Sequence, residues 1–172
     1  MLHSSLTNKK VLSLRTGAPI GSLAEEIINP NNLKIEGWYA IDNSTRKKGV
    51  LLNQDVRDIL PQGIAVNDHE AISDPNELIR LKEIMDIGFE LNEKKVRTES
   101  GKRLGKIMDF AFDKEGYFIE KIYVRQSVVK SFSGGQLIID RSQIVEVTHD
   151  KMIVKDAVIK LSEKVPAPAF SS

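Results

Sequence analysis

KKVLSLRTGAPIG at Lys9–Gly21 and KKVRTESGKRLG at Lys94–Gly105 are two diverged versions of one phrase, the second shorter by one residue. Further matches follow in the same order. LKIEGWYA (Leu33–Ala40) aligns with YFIEKIYV (Tyr117–Val124) at an offset of 84. QDVRDI (Gln54–Ile59) aligns with SQIVEV (Ser142–Val147), and IAVND (Ile64–Asp68) with MIVKD (Met152–Asp156), both at an offset of 88. Collinear matches at nearly constant offset mark an internal duplication, and a duplication settles organisation before any element is assigned. The difference of four residues falls between Val124 and Ser142, where RQSVVKSFSGGQ reads as a longer hairpin loop in the second copy.

Each copy alternates β-branched and aromatic runs with turn residues, the pattern of a small all-β unit. In the first copy strands are predicted at Val11–Leu14, Ile20–Ile28, Leu33–Ile41, Val50–Leu52, Val56–Leu60 and Ile64–Val66. Thr16–Pro19, Asn29–Asn32, Arg46–Gly49 and Pro61–Gly63 supply the glycine, asparagine and proline that tight turns require. Ser100-Gly101, Asp113–Gly116, Ser133–Gly135 and His149-Asp150 play the same part in the second copy. The third strand is apolar at Ile35, Trp38 and Ala40, and its counterpart at Ile119, Ile122 and Val124. A step of three followed by a step of two breaks strict alternation and predicts a β-bulge. Trp38 then stands in the core where the second copy has Ile122, and Tyr39 and Tyr123 face the other side.

Ser73–Glu93 has the periodicity of a helix of about three turns. Asp74, Pro75 and Glu77 form the N-cap, first-turn proline and capping-box partner, and Gly88 is the C′ stop. Leu78, Leu81 and Met85 share one face, with Ile84 alongside. The organisation expected is therefore a first β unit at 1–72, a linker helix at 73–93, a second β unit at 94–160 and a disordered tail at 161–172, rich in Pro and Ala at Pro166–Ala169.

Composition bounds the chemistry. The 172 residues carry 25 basic and 24 acidic side chains, no cysteine and three histidines. The missing thiols exclude disulfides, thiolate metal sites and cysteine nucleophiles. Neither a signal peptide nor an apolar run of the roughly 20 residues needed to span a bilayer is legible, so a cytoplasmic location is expected. The near-cancelling charge conceals an asymmetry. Residues 9–72 net zero, residues 73–93 net −4 and residues 94–160 net +5. Lys94, Lys95, Arg97, Lys102, Arg103 and Lys106 crowd one hairpin of the second copy, a patch suited to an anionic protein surface or to the phosphates of RNA. Phe132, on the long Val128–Gly135 loop, and the outward Tyr39 and Tyr123 complete the candidate contact residues.

Motifs that suggest catalysis have simpler structural explanations. Gly17-x-x-x-Gly21 and Gly101-x-x-x-Gly105 lack the Lys-Ser/Thr pair and helix start of a phosphate-binding loop. Asp68-His69-Glu70 and His149-Asp150 occupy non-equivalent turn positions in the two copies and lack the spacing of a metal-binding helix. Ser133-Gly134-Gly135 is not a nucleophile elbow. No catalytic residue, cofactor or metal ligand is assigned, and oligomeric state is left open.

The pattern of valine, turn glycine, apolar-Gly and hairpin strand resembles the PRC-barrel family. It is carried by Val11, Gly17, Ile20-Gly21 and Ile35…Trp38…Ala40, and more closely by Val96, Gly101, Leu104–Ile107 and Ile119…Ile122…Val124. Asn29-Pro30 and Trp38 depart from the family pattern in the first copy. The resemblance implies a mainly β fold of two small antiparallel PRC-type β-barrels joined by a short α-helix. It also implies a binding module rather than an enzyme. Such domains occur in the cytoplasmic part of the photosynthetic reaction-centre H subunit and at the C-terminus of a ribosome-maturation factor. The expectation is a non-enzymatic adaptor whose partner is another protein, with RNA or a ribosomal component as the alternative.

Overall fold

The computed structural model describes residues 1–126 and 136–157. The loop Val128–Gly135 with Phe132, and the tail at 161–172, lie outside the described residues. Thirteen strands and one α-helix are described. In the first copy they are β1 (Lys10–Ser13), β2 (Pro19–Asn29), β3 (Lys34–Asp42), β4 (Lys48–Leu52), β5 (Val56–Leu60), β6 (Gly63–Val66), β7 (Ile72–Ser73) and α1 (Ile79–Ile87). In the second they are β8 (Lys95–Thr98), β9 (Arg103–Phe112), β10 (Ile119–Arg125), β11 (Gln136–Asp140), β12 (Ile144–Val147) and β13 (Lys151–Val154).

The strands fall into two sheets ordered β5-β6-β1-β2-β3-β4-β7 and β11-β10-β9-β8-β13-β12. Read from its other end, the second order repeats the first six strands of the first. Even the backbone exceptions recur. Left-handed conformations stand at Gly17 and Gly101, and at Leu33 and Tyr117, both at the offset of 84. A 3-10 turn leads from β4 into β5 at Asn53–Asp55 and from β11 into β12 at Arg141–Gln143, at the offset of 88.

Two expectations need correction. Neither sheet closes into a barrel by hydrogen bonding: β5 and β7 are the edges of one, β11 and β12 of the other. Nor are the sheets purely antiparallel, because β1 runs parallel to β6 and β8 parallel to β13. The 3-10 turn after the fourth strand of each copy carries the chain to the far side of the sheet, so the last hairpin returns alongside the first strand in the same direction.

The chain divides into two compact units that do not follow the repeat boundary. Unit 1 comprises Met1–Glu90 together with Phe110–Glu120; unit 2 comprises Leu91–Asp109 and the chain from Lys121 onward. Unit 1 therefore includes the tip of the β9–β10 hairpin. There the two equivalent turns bond reciprocally: the Ile35 amide donates to the Tyr117 carbonyl and the Ile119 amide to the Leu33 carbonyl, each at 2.9 Å. The amide of Phe112 donates to the carbonyl of Met1, and His3 stacks on Phe110 at 4.6 Å. Trp38, buried as expected, packs edge-on to Tyr117 at 5.8 Å and against Phe112 at 6.4 Å. The bulge beside it is present. Ile27 and Ile28 face Gly37 and Ile35, so Glu36 is the extra residue on β3, and a second irregularity lies on β2 between Leu23 and Glu26.

In unit 2 the core is Leu91, Val96, Ile107, Ile122, Val124, Ile139, Met152 and Val154. The predicted linker helix is shorter than expected and belongs to unit 1, where it packs on β2. Asp74 caps a separate 3-10 turn, Pro75–Glu77, by accepting from the Asn76 amide, and the α-helix starts afterwards without a side-chain cap. Gly88 ends it in the left-handed conformation, as predicted. Leu78, Leu81 and Ile84 are only half-buried because they line an open groove of about 570 Å³ with Leu52 and Asn53.

Candidate functional site

Strand alternation sorts the basic cluster of the second copy. Val96 and Thr98 point inward and are buried, so Lys95 and Arg97 point outward. Across the antiparallel pair Lys95 stands opposite Lys106 and Arg97 opposite Arg103. Across the parallel pair Lys151 stands beside Lys95 and Ile153 beside Arg97. Directly opposed side chains share a face, so Lys151, Lys95 and Lys106 form one row over three strands and Arg97 and Arg103 a second. Like charges directly opposite one another destabilise a sheet; Glu93 offsets this at Lys106, whereas Arg97 and Arg103 face each other with no ion pair within the described residues.

The outer face continues onto β10 and β11, where Tyr123 is opposite Ile138 and Arg125 opposite Gln136. Ile138 is 52% exposed and Met108 45% exposed, and the Gln136 amide reaches the Met108 sulfur at 3.8 Å. Unit 2 thus presents basic rows bordering a Tyr123, Met108 and Ile138 apolar strip.

One sequence-predicted cation is placed elsewhere. Lys94 is 7% exposed, and its ammonium donates to the Thr148 carbonyl at 3.0 Å and to the His149 carbonyl. It ties the chain entering β8 to the β12–β13 turn. Lys94→Met is expected to lower stability by about 1–3 kcal/mol, because two carbonyls lose a charged donor, while leaving any partner affinity unchanged; denaturant unfolding and the capture assay below measure the two effects. Lys102 and Arg103 are exposed at the β8–β9 turn, where the Lys102 amide donates to Thr98 Oγ1.

Sequence reasoning missed Glu93. Its carboxylate bridges Lys106 at 3.3 Å and Arg125 at 2.9 Å, and the Lys106 hydrogen bond, aided by both cations, holds its pKa below the usual glutamate value. Lys106 and Arg125 are therefore already paired, which leaves Lys95, Arg97, Arg103, Lys121 and Lys151 as the cations on this face with no ion pair within the described residues. Tyr39 faces away from the core, as predicted, with the Lys48 ammonium 3.9 Å from its ring centre. It lines a separate groove beneath α1 with Ile28, Ile84 and Met85. Phe132 lies outside the described residues.

The histidines acquire structural roles. His69 Nε2 sits 2.5 Å from Asp42 Oδ2 and 3.4 Å from Ser44 Oγ. An activated serine would donate to the imidazole while the other ring nitrogen met the carboxylate. Here Ser44 Oγ donates to Asp42 Oδ1 at 2.7 Å, and one nitrogen faces both groups. Asp42 also accepts from the Ser44 and Thr45 amides, so the arrangement pins the β3–β4 turn. Burial pushes the Asp42 pKa up, but the Ser44 hydroxyl, the Thr45 and Ser44 amides and His69 outweigh it and hold the carboxyl well below the usual carboxylate range. A depressed folded-state pKa means that the stabilisation is complete above about pH 5 and is lost as pH falls through the folded value. Asp42→Asn is therefore expected to flatten the acid limb of the stability–pH curve; urea unfolding between about pH 7 and pH 2 giving parallel limbs for both proteins would contradict this. His149 is exposed beside Asp150. Among the described residues no three His, Asp or Glu side chains gather as a metal-ion site, and no helix is long and apolar enough to cross a membrane.

Residues 85–159 match the family model of the PRC-barrel domain. No curated protein matches the chain.

Proposed function

We propose that the PRC-barrel domain found at residues 85–159 is the partner-binding half of a cytoplasmic, non-enzymatic adaptor, and that the first copy is a diverged domain of the same kind. The shared order of six strands supports the second statement. The first is carried by the outer face of unit 2, where two rows of like charge border exposed Met108 and Ile138 and half-buried Tyr123. Aliphatic anchors beside cations suit an acidic protein surface, which rewards both desolvation and charge complementarity. RNA recognition relies instead on exposed stacking aromatics among the cations, and among the described residues this face offers only Tyr123.

The test is capture of partners from the native cell on the tagged full chain, with and without nuclease, beside the Lys95→Glu/Arg97→Glu/Arg103→Glu variant. The reading expects a nuclease-resistant protein partner whose affinity falls by about tenfold or more in the variant, as loss of a few charge pairs implies. Retention that disappears with nuclease and falls steeply with salt, by about 0.7 log units per phosphate contact for each tenfold rise in salt, would establish the RNA alternative. Neutralising the rows should not unfold the protein. Arg97→Gln is expected to leave stability unchanged or raise it by about 0.2–1 kcal/mol, since a like-charge pair is relieved; a clear loss in denaturant unfolding would assign Arg97 to the fold.

A further inference from the structure

The two copies differ at one sheet edge. In sheet 1 the fourth strand, β4, is flanked by β3 and by the added strand β7, which pairs Ser73 with Val50 and Ile72 with Leu51. The counterpart of β4 is β11, and among the described residues only β10 pairs with it. The exposure differs as well: Val50 is fully buried, whereas Ile138, at the same position by the offset of 88, is 52% exposed.

The inner side of the edge explains why the second copy holds together without an added strand. In the first copy Gly49 leaves room that the Ile72 side chain fills, since a Cβ built on Gly49 would lie 2.5 Å from Ile72 Cγ2. The position corresponding to Gly49 is Leu137, which is 6% exposed and supplies its own side chain to the core. Among the described residues the β11 edge is complete on its inner side and open on its outer one. An edge strand left in this state is a template for pairing.

We infer that the β11 edge takes up an extended acidic segment of the partner protein as an antiparallel strand beside Gln136–Asp140. This rests on the reading of unit 2 as the partner-binding half. β7 supplies the precedent, since it shows the equivalent edge of this same fold accepting a strand. The charge of the face supplies the occupant's chemistry: Lys121, opposite Asp140, and Arg125, which also holds Glu93, lie on β10 next to the edge, and Arg97, Arg103 and Lys95, farther in, add to a net positive face. The inner lining supplies a sequence preference. A residue in the place of Ile72 meets Leu137 instead of Gly49, so it must be small, while the adjoining residue beside Ile138 is apolar. Backbone hydrogen bonds give such a complex its affinity and the alternating side chains its selectivity.

The probe is a blocked synthetic peptide, Asp-Glu-Val-Ala-Val-Ala-Val-Glu-Asp, added at up to millimolar concentration to the ¹⁵N-labelled full chain. Amide hydrogen exchange and chemical shifts are followed, with Ile138→Asp as the variant because its side chain is already half-exposed. The expected result is slowing of exchange at Ile138 or Ile139 by about tenfold or more, weakening of the same order in Ile138→Asp, and weaker binding of a peptide with leucine in place of alanine. Shifts confined to Lys95, Arg97 and Arg103, with β11 exchange unaltered, would overturn the edge inference and leave the basic-face reading standing. Absence of binding would overturn it as well. Protection in the free chain of the β11 amides that point away from β10 would also overturn it. If independent of concentration, that protection would assign the edge to a segment of this chain; if concentration-dependent, to a second copy.

Discussion

Trp38→Ala is expected to cost about 3–5 kcal/mol, the range for removing a large aromatic from a packed core. The side chain is 2% exposed and packs against two mutually stacked aromatic rings, Phe112 and Tyr117, supplied by the second copy's hairpin. Aromatic pairs in tilted and edge-on geometry contribute about 0.5–1.5 kcal/mol beyond the area they bury, so the loss should sit at the upper end of the range. Trp38→Phe keeps much of the volume and is expected to cost less than half as much. Because Trp38 is the one tryptophan of the chain, unfolding must be followed by far-ultraviolet circular dichroism. A cost below about 1 kcal/mol would mean that the ring cluster is not a packing element of unit 1.

Gly63→Ala is the second large effect, expected at about 2–4 kcal/mol from overpacking and an adverse backbone angle. Gly63 has φ of 156°, and a Cβ there would fall 1.9 Å from the Lys10 carbonyl oxygen. Lys10 and Gly63 form the first pair of the parallel ladder between β1 and β6, so the added methyl must force the ladder open at its origin. Amide exchange should locate the damage in β1 and β6 rather than in β3 and β4. Gly17→Ala is the matched control. Its φ of 70° is also left-handed, yet nothing lies within 4 Å of the added carbon, so only the backbone penalty of about 1–2 kcal/mol applies. Equal losses in the two variants would show that steric exclusion at Lys10 is unimportant.

Most strands, the bulge at Glu36 and the exchange of Trp38 for Ile122 were legible because they are local: side-chain alternation and turn chemistry act over a few residues. The parallel pairing of β1 with β6 was not, because alternation reports which face a residue occupies and carries no information about a distant neighbour. Lys94 is a different case. It lies two residues before buried Val96 and so shares its inward face, a signal that extending the strand period by one step reveals. Grouping it with Lys95 by sequence adjacency concealed the difference. Glu93 was concealed by segmentation, its charge being counted with the helix although its partners are on β9 and β10. The candidate face itself was legible as composition; its division into two rows, with two cations already paired, required the register.

The reciprocal bonds between the turns at Leu33 and Tyr117 bear on how the molecule is made. Translation proceeds from the N-terminus, and domains generally fold as they emerge. The first copy has all its own strands once Ser73 has been synthesised, but the rings of Phe112 and Tyr117, against which Trp38 packs, arrive some forty residues later. Until then the nascent chain holds an aromatic core with one wall missing, and the amide of Ile35 has no partner. The earlier strands therefore complete their core only after the later hairpin has been made.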